Sequence, residues 1–211
     1  SMSATRRQLF ARTGALGAGI AFSGALSELF TDTAAAHALG HSGYGPLVSD
    51  PQGLLDLPAG FRYQVLSHEG DPLRSGEGPV PSNHDGMTAL PGGRGRVHLV
   101  RNHENRHDGR IGVPTIEGLT YDPAGKGGCT ALTLDSQGEV LSERVAIAGT
   151  AVNCAGGPTP WHTWLTCEET EDKAGTNGYA KDHGFIFEVD PSDPHRSGAV
   201  PLTAMGRFQH E

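Results

Sequence analysis

The segment from Gly149 to Asp172, GTAVNCAGGPTPWHTWLTCEETED, brings a thiol at Cys154 together with an acidic cluster at Glu168, Glu169, Glu171 and Asp172. Between them stand a Gly-Gly-Pro run at Gly156 to Pro158 and a short aromatic run. Singly, each part is ordinary: Gly-Gly-Pro punctuates loops, and a Trp-Leu run bounded by turn residues reads as a buried strand. Three glutamates within four positions are commonly a solvated edge. The combination differs because Trp161 and Trp164 supply apolar anchorage directly before the carboxylates. Carboxylates fixed at the end of a buried strand can gather a hard cation such as calcium, which takes about six to eight oxygen ligands.

The other chemistry-bearing residue types give less. Cys129, Cys154 and Cys167 form neither a disulfide framework nor a paired C-x-x-C zinc motif, so spacing leaves open one disulfide with a free thiol, or three buried thiols. His103, His162 and His210 show no H-x-x-x-H or H-E-x-x-H spacing and read as structural or supporting residues. Arg101 and Arg207 read as ion-pair partners for neighbouring acids rather than as phosphate clamps, although either could hold an anion.

Such residues must be positioned by short strands. With 31 Gly and 14 Pro in 211 residues and no convincing helical period in the body, the composition favours strands joined by turns. Alternation and β-branched content predict strands at Phe61 to Leu66, Met87 to Leu90, Val97 to Arg101, Thr130 to Leu134, Val140 to Ile147, Trp161 to Thr166, Phe185 to Val189 and Val200 to Ala204. A weak internal echo lays Val97–Glu104 over Trp161–Glu168 at an offset of 64 residues, two strands that each run into Glu. The pattern is that of a β-propeller or a β-sandwich.

At the other end of the chain, Ser1 before Met2 reads as a tag residue. Thr5-Arg6-Arg7-Gln8-Leu9-Phe10 then resembles a twin-arginine export signal, with a Gly/Ala-rich apolar region to Leu26 and small-residue cleavage sites ending at Ala36 and Ala38. That region, about 13 residues long, is too short to span a bilayer, which needs roughly 20. The sequence therefore divides into a leader over residues 1–38 and a body over residues 39–211, exported to the periplasm, cell surface or medium without a stable membrane anchor. The formal net charge is −8, and the leader carries three Arg against Glu28 and Asp32. The body's acidic surface repels nucleic acid and anionic membranes.

The motifs N-C-A-G-G-P-T-P-W and T-W-L-T-C-E-E resemble the signature of the PhoX-type alkaline phosphatases. Asp85-Gly86-Met87, Arg101-Asn102-His103-Glu104, the run GFIFEVDP from Gly184 to Pro191, and Met205 to Glu211 agree with it in the same order. The resemblance implies an all-β fold, a β-propeller of which this chain covers part. It also implies a phosphomonoesterase exported by the twin-arginine machinery, with a phosphate-ester substrate and with calcium and iron as cofactors. Carried over residue by residue, it places Cys154 on iron and makes Glu104, Glu168, Glu169, Glu211 and Asp85 metal ligands. It attaches nothing comparable to Cys129, which sits where relatives usually carry Thr. The family's later ligands and its phosphate-binding basic residues have no counterpart here, so residues 1–211 alone are expected to be inactive. A non-catalytic calcium-stabilised extracellular propeller is the alternative. A lactonase- or phytase-type propeller hydrolase is a further one, which the thiol argues against because calcium has little use for sulfur.

Overall fold

The structure, a computed structural model, describes residues 44–211. The predicted leader over residues 1–38 lies outside the described residues. Contacts divide the chain into two units between Gln64 and Val65.

In the first unit, β1 (Leu47–Val48) pairs antiparallel with β2 (Leu57–Pro58). The connection is organised by Asp50, whose carboxylate accepts the Tyr63 hydroxyl at 2.6 Å and the amides of Gln52, Leu54 and Leu55. The tyrosine bond, then the amides, lower its pKa to about 2.

The second unit holds two antiparallel meanders. One is four-stranded in the order β3 (His84–Pro91), β4 (Val97–His103), β5 (Gly127–Leu134), β6 (Val140–Thr150). The other runs β7 (Asn153–Pro158), β8 (Trp164–Glu168), β9 (Ile186–Val189). Strand-to-strand connection in sequence order is what tight turns permit: Gly92 and Arg96 close the β3–β4 loop, and Asp135 caps the β5–β6 turn by accepting the amides of Gln137 and Glu139. The first strands of the two meanders, β3 and β7, pack against each other. All-β architecture with successive blade-like sheets is therefore observed.

Between the sheets lies one apolar core containing Leu90, Val100, Cys129, Ile147, Trp164, Phe187 and Val189. Phe187 is wholly buried, and burying such a side chain is worth about 1.5–3 kcal/mol. The only α-helix among the described residues of this unit is the single turn α1 (Pro194–Ser197), followed by a 3-10 turn at Thr203–Met205. No helix among the described residues is long and apolar enough to cross a membrane.

Three expectations about strands need correction. Residues 61–68 belong to no strand, because alternation supplies a face but not a hydrogen-bonded partner. Val200 to Ala204 contributes one bridge, Pro201 to Phe187, then turns; proline has no N–H with which to continue a ladder. Conversely, Asn153–Pro158 is strand rather than loop. Gly156 is there for close approach, since a Cβ would collide with the Leu165 carbonyl and the Trp164 ring.

Candidate metal centre

The two meanders carry the same local device at their first strands. In β3 the pairs His84↔His103 and Met87↔Arg101 leave Asp85 and Gly86 opposite the single residue Asn102. In β7 the pairs Asn153↔Glu168 and Gly156↔Thr166 leave Cys154 and Ala155 opposite Cys167. Each is a β-bulge, an extra residue that bends the strand and re-aims its side chains. The residue before each pair of strands is left-handed, Asn83 at φ 53° and Val152 at φ 52°. Its carbonyl accepts an amide from across the sheet at 2.9 Å, from Glu104 in one case and from Glu169 in the other. For Val152, β-branched and buried, that conformation costs on the order of 1–3 kcal/mol, which the surrounding packing must offset.

This register corrects the sequence echo by one residue. Glu104 corresponds to Glu169, and Glu168 corresponds to the buried His103. A plain overlay of β4 on β8 hides the slip, because it matches the two strands by residue type, whereas their pairing with β3 and β7 sets the true correspondence.

The bulges bring chemistry together. Asp85, Glu104 and Cys154 each offer a ligand atom, and these atoms lie within 4.8 Å of one another. Asn102, wholly buried, couples the two bulges: its Nδ2 donates to the carbonyls of Cys154 at 3.0 Å and Ala155 at 2.9 Å. Its Oδ1 accepts from Trp164 Nε1, Thr166 Oγ1 and Cys129 Sγ. The backbone that presents Cys154 is thus fixed from within the core. Gly86 completes the fit, because a Cβ there would stand 2.6 Å from the Cys154 carbonyl. A cleft of about 370 Å³ opens beside the group, lined by Asn83, His84, Asp85, Glu104, Arg106, Asp108 and Gly109.

The electrostatics of the group are unfavourable to its own anions. Burial, then Asp85, Glu169, Glu104 and Glu211, push the Cys154 thiol up to about 11. Burial and then the adjacent Asp85 raise Glu104 above the usual carboxylate range, with Glu169 adding to it and Arg106 opposing. Glu169 and Glu211 therefore lie within Coulombic reach of the thiol, although the structure does not place their oxygens in the three-residue group.

Glu168 stands apart, against the expectation that it shares the metal. It is wholly buried in phase with Trp164 and Thr166 on β8, and both of its oxygens are occupied. Oε1 accepts from Ala151 N at 2.8 Å and lies 2.7 Å from His183 Nδ1, while Oε2 accepts from Gly184 N at 2.7 Å and Phe185 N at 3.0 Å. His183 is held between Glu168 and Asp122; burial would lower its pKa, but the two carboxylates outweigh burial and raise it. A period-two count from Trp164 puts Glu168 on the inner face, a signal that the acidic run masked.

The remaining residues are structural. His103 donates Nδ1–H to the Ser82 carbonyl and accepts the Thr130 hydroxyl at Nε2, so it is neutral, with burial taking its pKa down to about 3. His210 donates its amide to the Glu168 carbonyl. Arg101 forms a buried pair with Glu143 at 3.2 Å, and Arg207 donates to the carbonyls of Glu171 and Asp172. All three cysteines are free: Cys129 and Cys167 are buried, and Cys154 is half-buried. Sequence reasoning did not single out Asn102, His183 or the role of Asp122.

The comparisons with known proteins agree with this architecture. Residues 42–145 and 139–211 match the family described as alkaline phosphatase PhoX. A solved structure of Pseudomonas fluorescens PhoX in complex with vanadate, a transition state analogue, shares the fold at a TM-score of 0.50 and 23% identity, over 73% of this chain. The chain spans 43% of that structure's length. No curated protein matches the chain. With nearly all of the body matched by one family, the chain belongs to the alkaline phosphatase PhoX family.

Proposed function

We propose that this chain forms part of an exported, metal-dependent phosphomonoesterase, cleaving a phosphate monoester with water to an alcohol and inorganic phosphate at an iron and calcium site. The observation that carries the reading is the convergence of Asp85, Glu104 and Cys154 within 4.8 Å through two matching bulges. The donor set fits the implied metals. Burial and then four carboxylates hold the thiol protonated, and a cation offsets both. Sulfur suits iron and oxygen suits calcium, so Cys154 would hold iron, with Asp85, Glu104, Glu169 and Glu211 supplying oxygen to iron and calcium.

Bound cations supply Lewis acidity and counter-charge for the phosphoryl oxygens. What the chain's own residues do is position: Asn102 fixes the Cys154 backbone, the Asn83 and Val152 carbonyls fix Glu104 and Glu169, and His103 stays neutral and buried behind Thr130. The twin-arginine leader fits such a site, since that route carries folded protein and lets metal enter where a thiol stays reduced. Export to the periplasm, cell surface or medium is part of the proposal.

The test uses the full-length protein. Loaded with iron and calcium, it should hydrolyse a chromogenic phosphomonoester and show a visible thiolate-to-iron charge-transfer band. Cys154→Ala should lose the band and the iron. Retention of both in that variant would show that Cys154 is not the iron ligand.

A further inference from the structure

The cleft beside the acids has one guanidinium among its lining residues, that of Arg106. The other arginines of this region are committed: Arg101 to Glu143, Arg110 to Glu69, Arg144 to the carbonyls of Pro191 and Ser192, Arg196 to Asp190, and Arg207 to those of Glu171 and Asp172. The Arg106 side chain makes no hydrogen bond among the described residues. Its Nη2 stands 3.6 Å from Glu104 Oε1, beyond hydrogen-bond length, and its side chain is 61% exposed. A guanidinium carries five N–H donors, and the cleft that Arg106 lines is shared with Asp85, Glu104 and Asp108.

Its backbone, by contrast, is held firmly. Asn105 is wholly buried: Nδ2 donates to the carbonyls of Ile111 and Ser82, Oδ1 accepts from Ser82 Oγ and Asn83 Nδ2, and its own carbonyl accepts the amide of Val152. Gly109 closes the turn onto Arg106 O at 2.9 Å, and a Cβ at Gly109 would stand 2.6 Å from Asn105 Oδ1. A long cationic side chain is thus mounted on a fixed turn two residues after Glu104, with its donors unspent.

We propose that Arg106 is a substrate-binding residue that receives the non-bridging oxygens of the phosphoryl group in this cleft, an inference that rests on the phosphomonoesterase reading above. Acids alone would repel a phosphate dianion, so the pocket needs positive charge from the metals and from Arg106 together. A guanidinium presents two parallel N–H groups that match two phosphoryl oxygens, which an ammonium cannot do. The Glu104 contact holds the arginine over the cleft when no substrate is bound, and at 3.6 Å it is readily exchanged for a stronger partner.

The experiment takes the metal-loaded full-length protein and its Arg106→Ala and Arg106→Lys variants. Inorganic phosphate binding is measured by titration calorimetry, beside bound metal content and KM and kcat for a chromogenic phosphomonoester. The expected result is a phosphate Kd and a KM raised roughly ten- to hundredfold in Arg106→Ala, the range for a lost charge-assisted pair. Metal content should be unchanged, kcat less affected than KM, and Arg106→Lys intermediate. If wild-type protein binds phosphate and the alanine variant binds it within twofold as well, Arg106 is not a phosphate ligand. Loss of metal from the alanine variant would instead show that the guanidinium serves Glu104, which also overturns the proposal. Failure of wild-type, metal-loaded protein to bind or turn over any phosphate compound would sink the phosphomonoesterase reading, and this inference with it.

Discussion

Glu168 and Glu104 are both acids at the end of a strand of a blade-like meander, Glu168 closing β8 and Glu104 following β4, yet they live in opposite environments. Glu168 is sealed in the second meander with three backbone amides and His183 on its two oxygens. Glu104 lies at a cleft among Asp85, Cys154 and Glu169, where its nearest cation is 3.6 Å away. A buried carboxylate saturated with donors is a tie: it joins the turn at Ala151, the start of β9 and the His183 loop. A cluster of acids short of donors repels itself and becomes favourable when something positive arrives. The difference separates architecture from chemistry more cleanly than residue type does.

The largest effect should come from cutting the tie. Glu168→Ala leaves three buried amides and a histidine without a partner, and losing one member of a buried charged set costs about 3–5 kcal/mol. Denaturant unfolding of the full-length protein, with and without metal, should show the loss in both conditions. A loss under about 1 kcal/mol, or one seen only with metal present, would place Glu168 with Glu104 after all.

A smaller loss, about 1–3 kcal/mol, is expected from His183→Asn, and it should depend on pH. His183 faces Glu168 and Asp122, with the rings of Tyr121 and Tyr179 against it. Both phenols are pushed upward, Tyr179 to about 12, and stay silent near neutrality. Since the carboxylates raise His183 above 6.5, its contribution is complete below that value and is lost as pH rises through the folded-state pKa. Asp122 is lowered, because its hydrogen bonds outweigh burial, so its share is present above 3.8 and fades as pH falls through its folded value. The wild-type advantage over the variant should therefore be greater near pH 6 than near pH 9. An advantage that is flat between these values would mean that His183 is neutral in the folded protein.

Much of this was legible in the sequence. The strands with alternating β-branched residues were, because period two is a local property: Thr130 to Leu134 and Val140 to Ile147 lie within observed strands. Asp85, Glu104 and Cys154 were named from motifs, and the fold draws them together. What was not legible depends on partners. Phe61 to Leu66 alternates without pairing in a strand, and Gly156 reads as punctuation until Trp164 is set against it. The one-residue slip that matched Glu104 to Glu168 instead of Glu169 shows only once each strand is paired, because register depends on the partner strand and leaves no compositional trace. Asn102 looks like an ordinary polar strand residue, and only the second meander reveals four of its five partners, Cys129 on β5 being the fifth.

The smallest effect, and the sharpest contrast with Glu168, should come from Asp85→Asn. Asp85 is exposed, and its side-chain hydrogen bond among the described residues, from its neighbour Gly86 N at 2.7 Å, can be kept by the amide oxygen of Asn. Removing its charge takes one anion from beside Glu104 and Cys154, both of which its presence makes harder to ionise. In chelator-treated full-length protein the substitution should therefore shift stability by no more than about 0.5 kcal/mol, with a gain the favoured direction. Calcium and iron content after reloading should fall, because an amide oxygen brings no charge to balance the cation. Thermal unfolding of the metal-free protein and elemental analysis of the reloaded one read the two halves separately. A metal-free loss above about 1 kcal/mol would make Asp85 a structural tie like Glu168, and undiminished metal content would remove it from the ligand set. Either result would erase the distinction between the saturated acid and the self-repelling ones.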